Sequence, residues 1–287
     1  MFFPQPHAPV IDTHRMEVFA EGLDHPEGLA VDQDGILWAG GEAGQLYRIQ
    51  EGNAEVVAQL GGFCLGVTIA PSHELVICNT GLHALQFVSR EGKLLRELRE
   101  VEGTPLRTPN FAVYDATGNL YFSDSGDWSG ANGFIYVLRN DGRAERFAGP
   151  FFFPNGLALD QSCGSLYVVE SQRDRVLRLE IDDERRAGAS HVYADGLARI
   201  PDGMAFDEAG NLFVTCYATD CIYRIRPDGT VDLYAFDPEG TVMARPTNVA
   251  FGGVDRKTML VANLGRWHIT SVPSEHPGML LAGQRSL

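Results

Sequence analysis

The sequence predicts an all-β fold, a six-bladed β-propeller with four-stranded antiparallel blades, and three observations carry that prediction. A short frame (Pro, a variable residue, Gly, an apolar–small–apolar run, Asp) occurs as Pro26-Glu27-Gly28-Leu29-Ala30-Val31-Asp32, Pro154-Asn155-Gly156-Leu157-Ala158-Leu159-Asp160 and Pro201-Asp202-Gly203-Met204-Ala205-Phe206-Asp207. Aligning weaker copies puts the variable slots at Glu27, Leu65, Asn110, Asn155, Asp202 and Thr247, spaced by 38, 45, 45, 47 and 45 residues. That is the period of a four-stranded propeller blade. Between the frames the apolar residues form short runs broken by Gly and Asp, a strand pattern and not a helical one. Six aligned copies also argue against a β-sandwich whose strands happen to be regular. The whole chain, 1–287, is read as one propeller domain.

Each repeat has the same internal order. The frame supplies the first strand. A turn follows, as in Asp32-Gln33-Asp34-Gly35, Asp115-Ala116-Thr117-Gly118 and Asp207-Glu208-Ala209-Gly210, with the composition of a hairpin. A second strand comes next (Leu120-Tyr121-Phe122-Ser123, Leu166-Tyr167-Val168-Val169, Leu212-Phe213-Val214-Thr215), then a third (Phe134-Ile135-Tyr136-Val137-Leu138, Cys221-Ile222-Tyr223-Arg224-Ile225) and a more polar fourth (Thr230-Val231-Asp232-Leu233-Tyr234-Ala235). Repeat two is degenerate, with Cys64-Leu65-Gly66 in place of the frame. Repeat six lacks a fourth strand, whereas Met16-Glu17-Val18-Phe19-Ala20 is a spare one of the same type. The N-terminal strand is therefore expected to complete the last blade and close the ring, which removes a free sheet edge.

Composition excludes several function classes. The formal net charge of −15 disfavours nucleic acid and anionic membranes as partners. No apolar run approaches the roughly 18 residues of a membrane span. Residues 1–6 lack a basic segment followed by an apolar one, so no secretory signal is expected. Five cysteines (Cys64, Cys78, Cys163, Cys216, Cys221) lack metal-type pairing and read as free thiols in a cytoplasmic protein. Oligomeric state is not encoded in any pattern here.

The first strand of every propeller blade lines the central channel, so the six variable slots should meet at one mouth of it. Five of them carry side-chain oxygens, and two of these are carboxylates. A Pro-X-Gly turn alone explains any single slot; convergence on one axis does not follow from turns. Two carboxylates held together away from water repel unless protonated or bridged by a cation. Carboxylate and amide oxygens suit a hard divalent ion. One divalent ion is expected, Ca²⁺ first, with Zn²⁺, Mg²⁺ or Mn²⁺ as alternatives; no His or Cys occupies a slot to favour zinc. Asp124, which ends a second strand, is a further candidate to face the mouth and bind substrate.

Glu27 in His-Pro-Glu-Gly-Leu, Asn155 in Phe-Pro-Asn-Gly-Leu-Ala and Asp202 in Pro-Asp-Gly-Met-Ala-Phe-Asp resemble three signatures of the gluconolactonase / senescence-marker-protein / luciferin-regenerating-enzyme family. Arg245-Pro246-Thr247-Asn248-Val249-Ala250-Phe251-Gly252-Gly253 resembles its last-blade motif. The likeness spans about residues 16 to 273. It implies a six-bladed propeller, one catalytic divalent metal on Glu27, Asn155 and Asp202, a metal- or substrate-binding role for Asn110, and hydrolysis of a sugar lactone or related ester. One departure stands out: the family's sugar lactonases usually carry Arg-X-Asn-Asp-Gly where this chain reads Arg107-Thr108-Pro109-Asn110-Phe111. It bears on the identity of the sugar, not on the metal.

The expected chemistry is carbonyl polarisation by the ion, with Asp202 as the base that activates water. Two other classes compete: a phosphotriesterase or aryl-esterase-type hydrolase on the same fold, and a non-enzymatic binding propeller. No Gly-X-Ser-X-Gly elbow and no Gly-X-Gly-X-X-Gly segment supports a serine hydrolase or a nucleotide site.

Overall fold

The computed structural model describes residues 8–284; the N-terminal hexapeptide read for a secretory signal lies outside the described residues. Six four-stranded antiparallel sheets form the blades of a ring. Their inner strands are Leu29–Val31, Cys64–Ile69, Pro109–Tyr114, Pro154–Leu159, Pro201–Phe206 and Pro246–Gly252. The remaining strands of each blade follow outward in chain order, except in blade six. There Pro246–Gly252, Thr258–Asn263 and His268–Pro273 are completed by Glu17–Ala20, paired as Glu17↔Ser271 and Val18↔Thr270. The N-terminal closure expected from the sequence is thus the closure observed. A two-stranded hairpin, Glu100–Val101 with Thr104–Pro105, lies between blades two and three and was not anticipated.

The repeated frame has a local reason at each position. Its Asp fastens the turn after the inner strand. Asp32 Oδ1 accepts the backbone N–H of Asp34 and Ile36, both at 2.9 Å, and Asp115 Oδ1 accepts those of Thr117 and Asn119 at 2.8 and 2.9 Å. Such carboxylate–backbone bonds favour the turn over continued strand. Its Gly permits close approach of the next blade. A Cβ on Gly28 would lie 2.1 Å from the carbonyl oxygen of Leu65, and one on Gly156 2.4 Å from that of Asp202. The residue before the frame proline is left-handed in four blades: His25, Phe153, Ile200 and Arg245 have φ of 41°, 53°, 60° and 53°. Non-glycine residues seldom adopt this region, and a following proline disfavours the right-handed alternative.

The core is not one central mass but six wedges, each shared by two neighbouring blades. Val169, Met204, Leu212 and Val214 fill the wedge between blades four and five. Ala250, Leu260 and Ala262 meet Leu29, Leu37 and Tyr47 between blades six and one. Ile11 and Met16 join the wedge between blades five and six. The segment after the last strand crosses the far end of the channel. The Met279 N–H donates to Phe206 O at 2.9 Å, and Gly278 N–H to Arg256 O at 2.8 Å. Met279, Leu281 and Ala282, with Ile69, Leu159 and Phe251, enclose an apolar cavity of about 90 Å³. This covering segment gave no recognisable signal in the sequence. It leaves the opposite end, where the inner strands begin, as the polar end.

Candidate metal centre

At that polar end Glu27, Asn110, Asn155, Asp202 and Thr247 line one narrow cavity with Gly28, Gly66, Phe111 and Asn248. Asn110, Asn155 and Asp202 are 4%, 5% and 7% exposed, and Glu27 is half-buried. The inner-strand starts are pinned by hydroxyls from neighbouring blades, which the sequence reading did not single out. Ser123 Oγ donates to Asn155 O at 2.9 Å, Ser171 Oγ to Pro201 O at 2.7 Å, and Thr215 Oγ1 to Thr247 O at 2.9 Å. The only sequence trace of these pegs is a hydroxyl at or just past the end of a second strand. Each fixes the backbone from which a cavity-lining side chain springs.

The side chains themselves are poorly satisfied. Asn155 Nδ2 donates to Ser171 Oγ at 3.3 Å, but its buried Oδ1 has no partner. Burial, and then the charge of Asp202, holds the Glu27 carboxyl well above its usual range. Burial pushes Asp202 up to about 8, with the Asn155 amide pulling the other way. No cationic side chain offsets either shift among the described residues. An orphaned buried acceptor has a cost, and two neighbouring carboxylates with no cation beside them have a larger one. All three defects concern oxygens on blades one, four and five, and one hard cation would relieve them together. The residues therefore fit a divalent ion.

Asp124 sits apart from this cavity. Its carboxylate accepts the backbone N–H of Thr108 at 2.6 Å and of Arg107 at 2.9 Å. It fastens the loop that leads into Asn110, and the Arg107 guanidinium pairs with Asp127. His25 has Nδ1 at 2.8 Å from Asp24 Oδ1 and 2.9 Å from Glu42 Oε2, with its ring 4.3 Å from that of Trp267. All five cysteines are free and buried.

Comparison with known proteins identifies the family and agrees with the fold. A family model described as the SMP-30/Gluconolactonase/LRE-like region matches residues 42–264, and a strictosidine synthase-like N-terminal model matches residues 14–49. A pentonolactonase of Haloferax volcanii is 26% identical over 242 residues, 82% of this chain and 79% of the relative. A 6-deoxy-6-sulfogluconolactonase of Pseudomonas putida is 26% identical over 244 residues, 82% of this chain and 80% of the relative. Among solved structures, a gluconolactonase from Xanthomonas campestris superposes with TM-score 0.79 at 20% identity, covering 90% of this chain and 89% of that one. A regucalcin from Agrobacterium tumefaciens, described as a calcium-binding protein, superposes with TM-score 0.78 at 19% identity, covering 92% and 95%.

Proposed function

The chain belongs to the SMP-30/gluconolactonase/LRE-like family, and from that premise we propose that it is a metal-dependent hydrolase that opens a lactone ring. The observation that carries the reading is the partnerless Oδ1 of Asn155 in one cavity with the carboxyls of Glu27 and Asp202, both held above their ordinary range with no cationic side chain beside them among the described residues. The sugar lactonases among its relatives support the substrate class. The regucalcin neighbour supports Ca²⁺ as the first ion to test, ahead of Zn²⁺, Mg²⁺ and Mn²⁺.

Glu27, Asn155 and Asp202 would hold a divalent ion, which would supply positive charge to polarise the lactone carbonyl. Asp202 takes the proton of the attacking water. The ring C–O bond then breaks, and the freed alkoxide takes up a proton to give a hydroxy acid. Glu27 contributes charge and no proton transfer. Asn155, oriented by Ser171, turns its carbonyl oxygen to the centre. Asn110 lines the same cavity and contacts substrate; Asp124 acts by holding the loop that carries Asn110. The five buried thiols support a cytoplasmic placement.

The test is acid release in a pH-stat from a panel of aldonolactones. Activity abolished by chelator and restored by one metal is expected; chelator-insensitive release would remove the reading.

A further inference from the structure

Two tryptophans stand half-exposed at the polar end of the channel. Trp128 is 50% and Trp267 49% exposed, whereas Trp38 is buried. Each lies in the loop joining the second and third strands of its blade, Trp128 in blade three and Trp267 in blade six. Blades three and six are three steps apart in a ring of six, so the two indoles flank the entrance from opposite sides. Each is held by a ring on the following blade. Trp128 packs edge-on against Phe153 with centroids 4.8 Å apart, and Trp267 lies tilted against His25 at 4.3 Å. Phe153 and His25 are the left-handed residues two positions before Asn155 and Glu27. The same backbone turns thus aim the oxygens of the centre and seat the indoles above it.

Several polar side chains around this entrance are engaged. Asp24 and Glu42 face His25, Arg107 pairs with Asp127, and Asp174 and Asp220 accept the backbone N–H of Ile200 and Arg245. At the floor Phe111 stands where four of the other blades have glycine, and it lines the cavity of the centre. A flat apolar ring fits surfaces of this kind by stacking.

We propose that Trp128 and Trp267 form a two-sided aromatic clamp over the centre, selecting lactones that carry or are fused to a flat apolar ring over bare aldonolactones. This rests on the lactonase reading above.

The test compares D-gluconolactone with a benzo-fused six-membered lactone, at saturating metal, for the wild type, W128A, W267A and the double variant. KM for the fused lactone should rise about tenfold per indole removed, with kcat unchanged and KM for gluconolactone within about twofold of wild type. W128F should recover most of the loss. Independently, the matching benzo-fused lactam, which is not hydrolysed, should quench tryptophan fluorescence in the wild type and not in the double variant. Equal losses for both lactones, or no loss in the double variant, would overturn the clamp. So would unchanged kinetics with an altered sedimentation coefficient, which would assign the pair to a subunit contact. A wild type that opens aldonolactones but neither opens the fused lactone nor binds the lactam overturns the clamp alone. Binding of the lactam through both tryptophans, with no lactone opened, removes the lactonase reading alone.

Discussion

The hydroxyl of Thr247 donates to the backbone carbonyl of Glu27 at 3.1 Å, so the last blade grips the first at the axis. At the rim the same two ends of the chain are joined by Glu17–Ala20 pairing with His268–Pro273. Closure therefore acts at two radii, and only the outer one depends on the N-terminal segment.

Deleting residues 1–20 should leave the inner contact and lose the outer one. It bares the edge of His268–Pro273 and removes Ile11 and Met16 from the wedge between blades five and six. An exposed edge strand pairs with other chains, so size-exclusion chromatography should show aggregates. A monodisperse truncation of unchanged melting temperature would contradict this.

The three oxygens of the centre should respond differently to substitution. Asp202→Asn keeps the shape and one ligand oxygen but removes the base, so turnover at saturating metal should fall by about 10²–10⁴-fold. Glu27→Gln and Asn155→Ala should mainly weaken metal binding, with turnover partly restored by excess ion. Titrating metal into each variant while measuring initial rates separates the two behaviours. If Glu27→Gln stayed inactive at saturation while Asp202→Asn worked, the two roles would be exchanged.

Protonation should set the stability of the metal-free protein. The folded-state pKa of both carboxyls is raised, to about 8 for Asp202. Between their ordinary values and the raised ones, the folded chain binds more protons than the unfolded chain. This contribution is fully present below the ordinary carboxylate range and is lost as pH rises toward about 8. In chelator, the melting temperature of wild type minus that of Asp202→Asn should therefore decline from pH 5 to pH 8. Metal binding must displace the retained protons, so calorimetry in buffers of different ionisation enthalpy should show proton release below pH 8. A difference that grows with pH would reject the assignment.

The covering segment at the far end should matter for stability and not for turnover. A Cβ on Gly283 would lie 2.5 Å from Ile69 O. Gly283→Val should cost about 1–3 kcal/mol by overpacking, read by urea unfolding. Its kcat and metal affinity should stay at wild-type values, because the polar end lies across the length of the channel.

What the sequence made legible was whatever repeats. The spacing of Glu27, Asn155 and Asp202 located the inner strands, and the frame Asp located the turns, because each acts within a few residues of itself. Phe153 and Trp128 gave no such sign: their contact joins two blades, and it recurs only as Trp267 with His25, a pair of different rings. Asp124 shows the converse. Its place at a strand end was legible, but not the bonds to Arg107 and Thr108 that occupy its carboxylate; Glu170 and Asn263, at the same place in blades four and six, likewise accept the N–H of Phe152 and Ala244. The Ser123, Ser171 and Thr215 pegs were hidden for a related reason. A hydroxyl at a strand end is common, and only the neighbouring blade tells what it holds.

The frame glycines have a consequence for size. Gly28, Gly66, Gly156 and Gly203 each abut the carbonyl of the next blade's variable residue, so close that a Cβ would fall within 2.1–2.6 Å of it. Four of the six spacings around the polar end are thus at the minimum that backbone allows, and the circumference of that collar is a mechanical quantity. Oxygens contributed by blades one, four and five inherit it. An alanine at Gly156 would touch no ion, yet it would dilate the collar, so the caliper that distinguishes a larger cation from a smaller one is built from residues with no side chain at all.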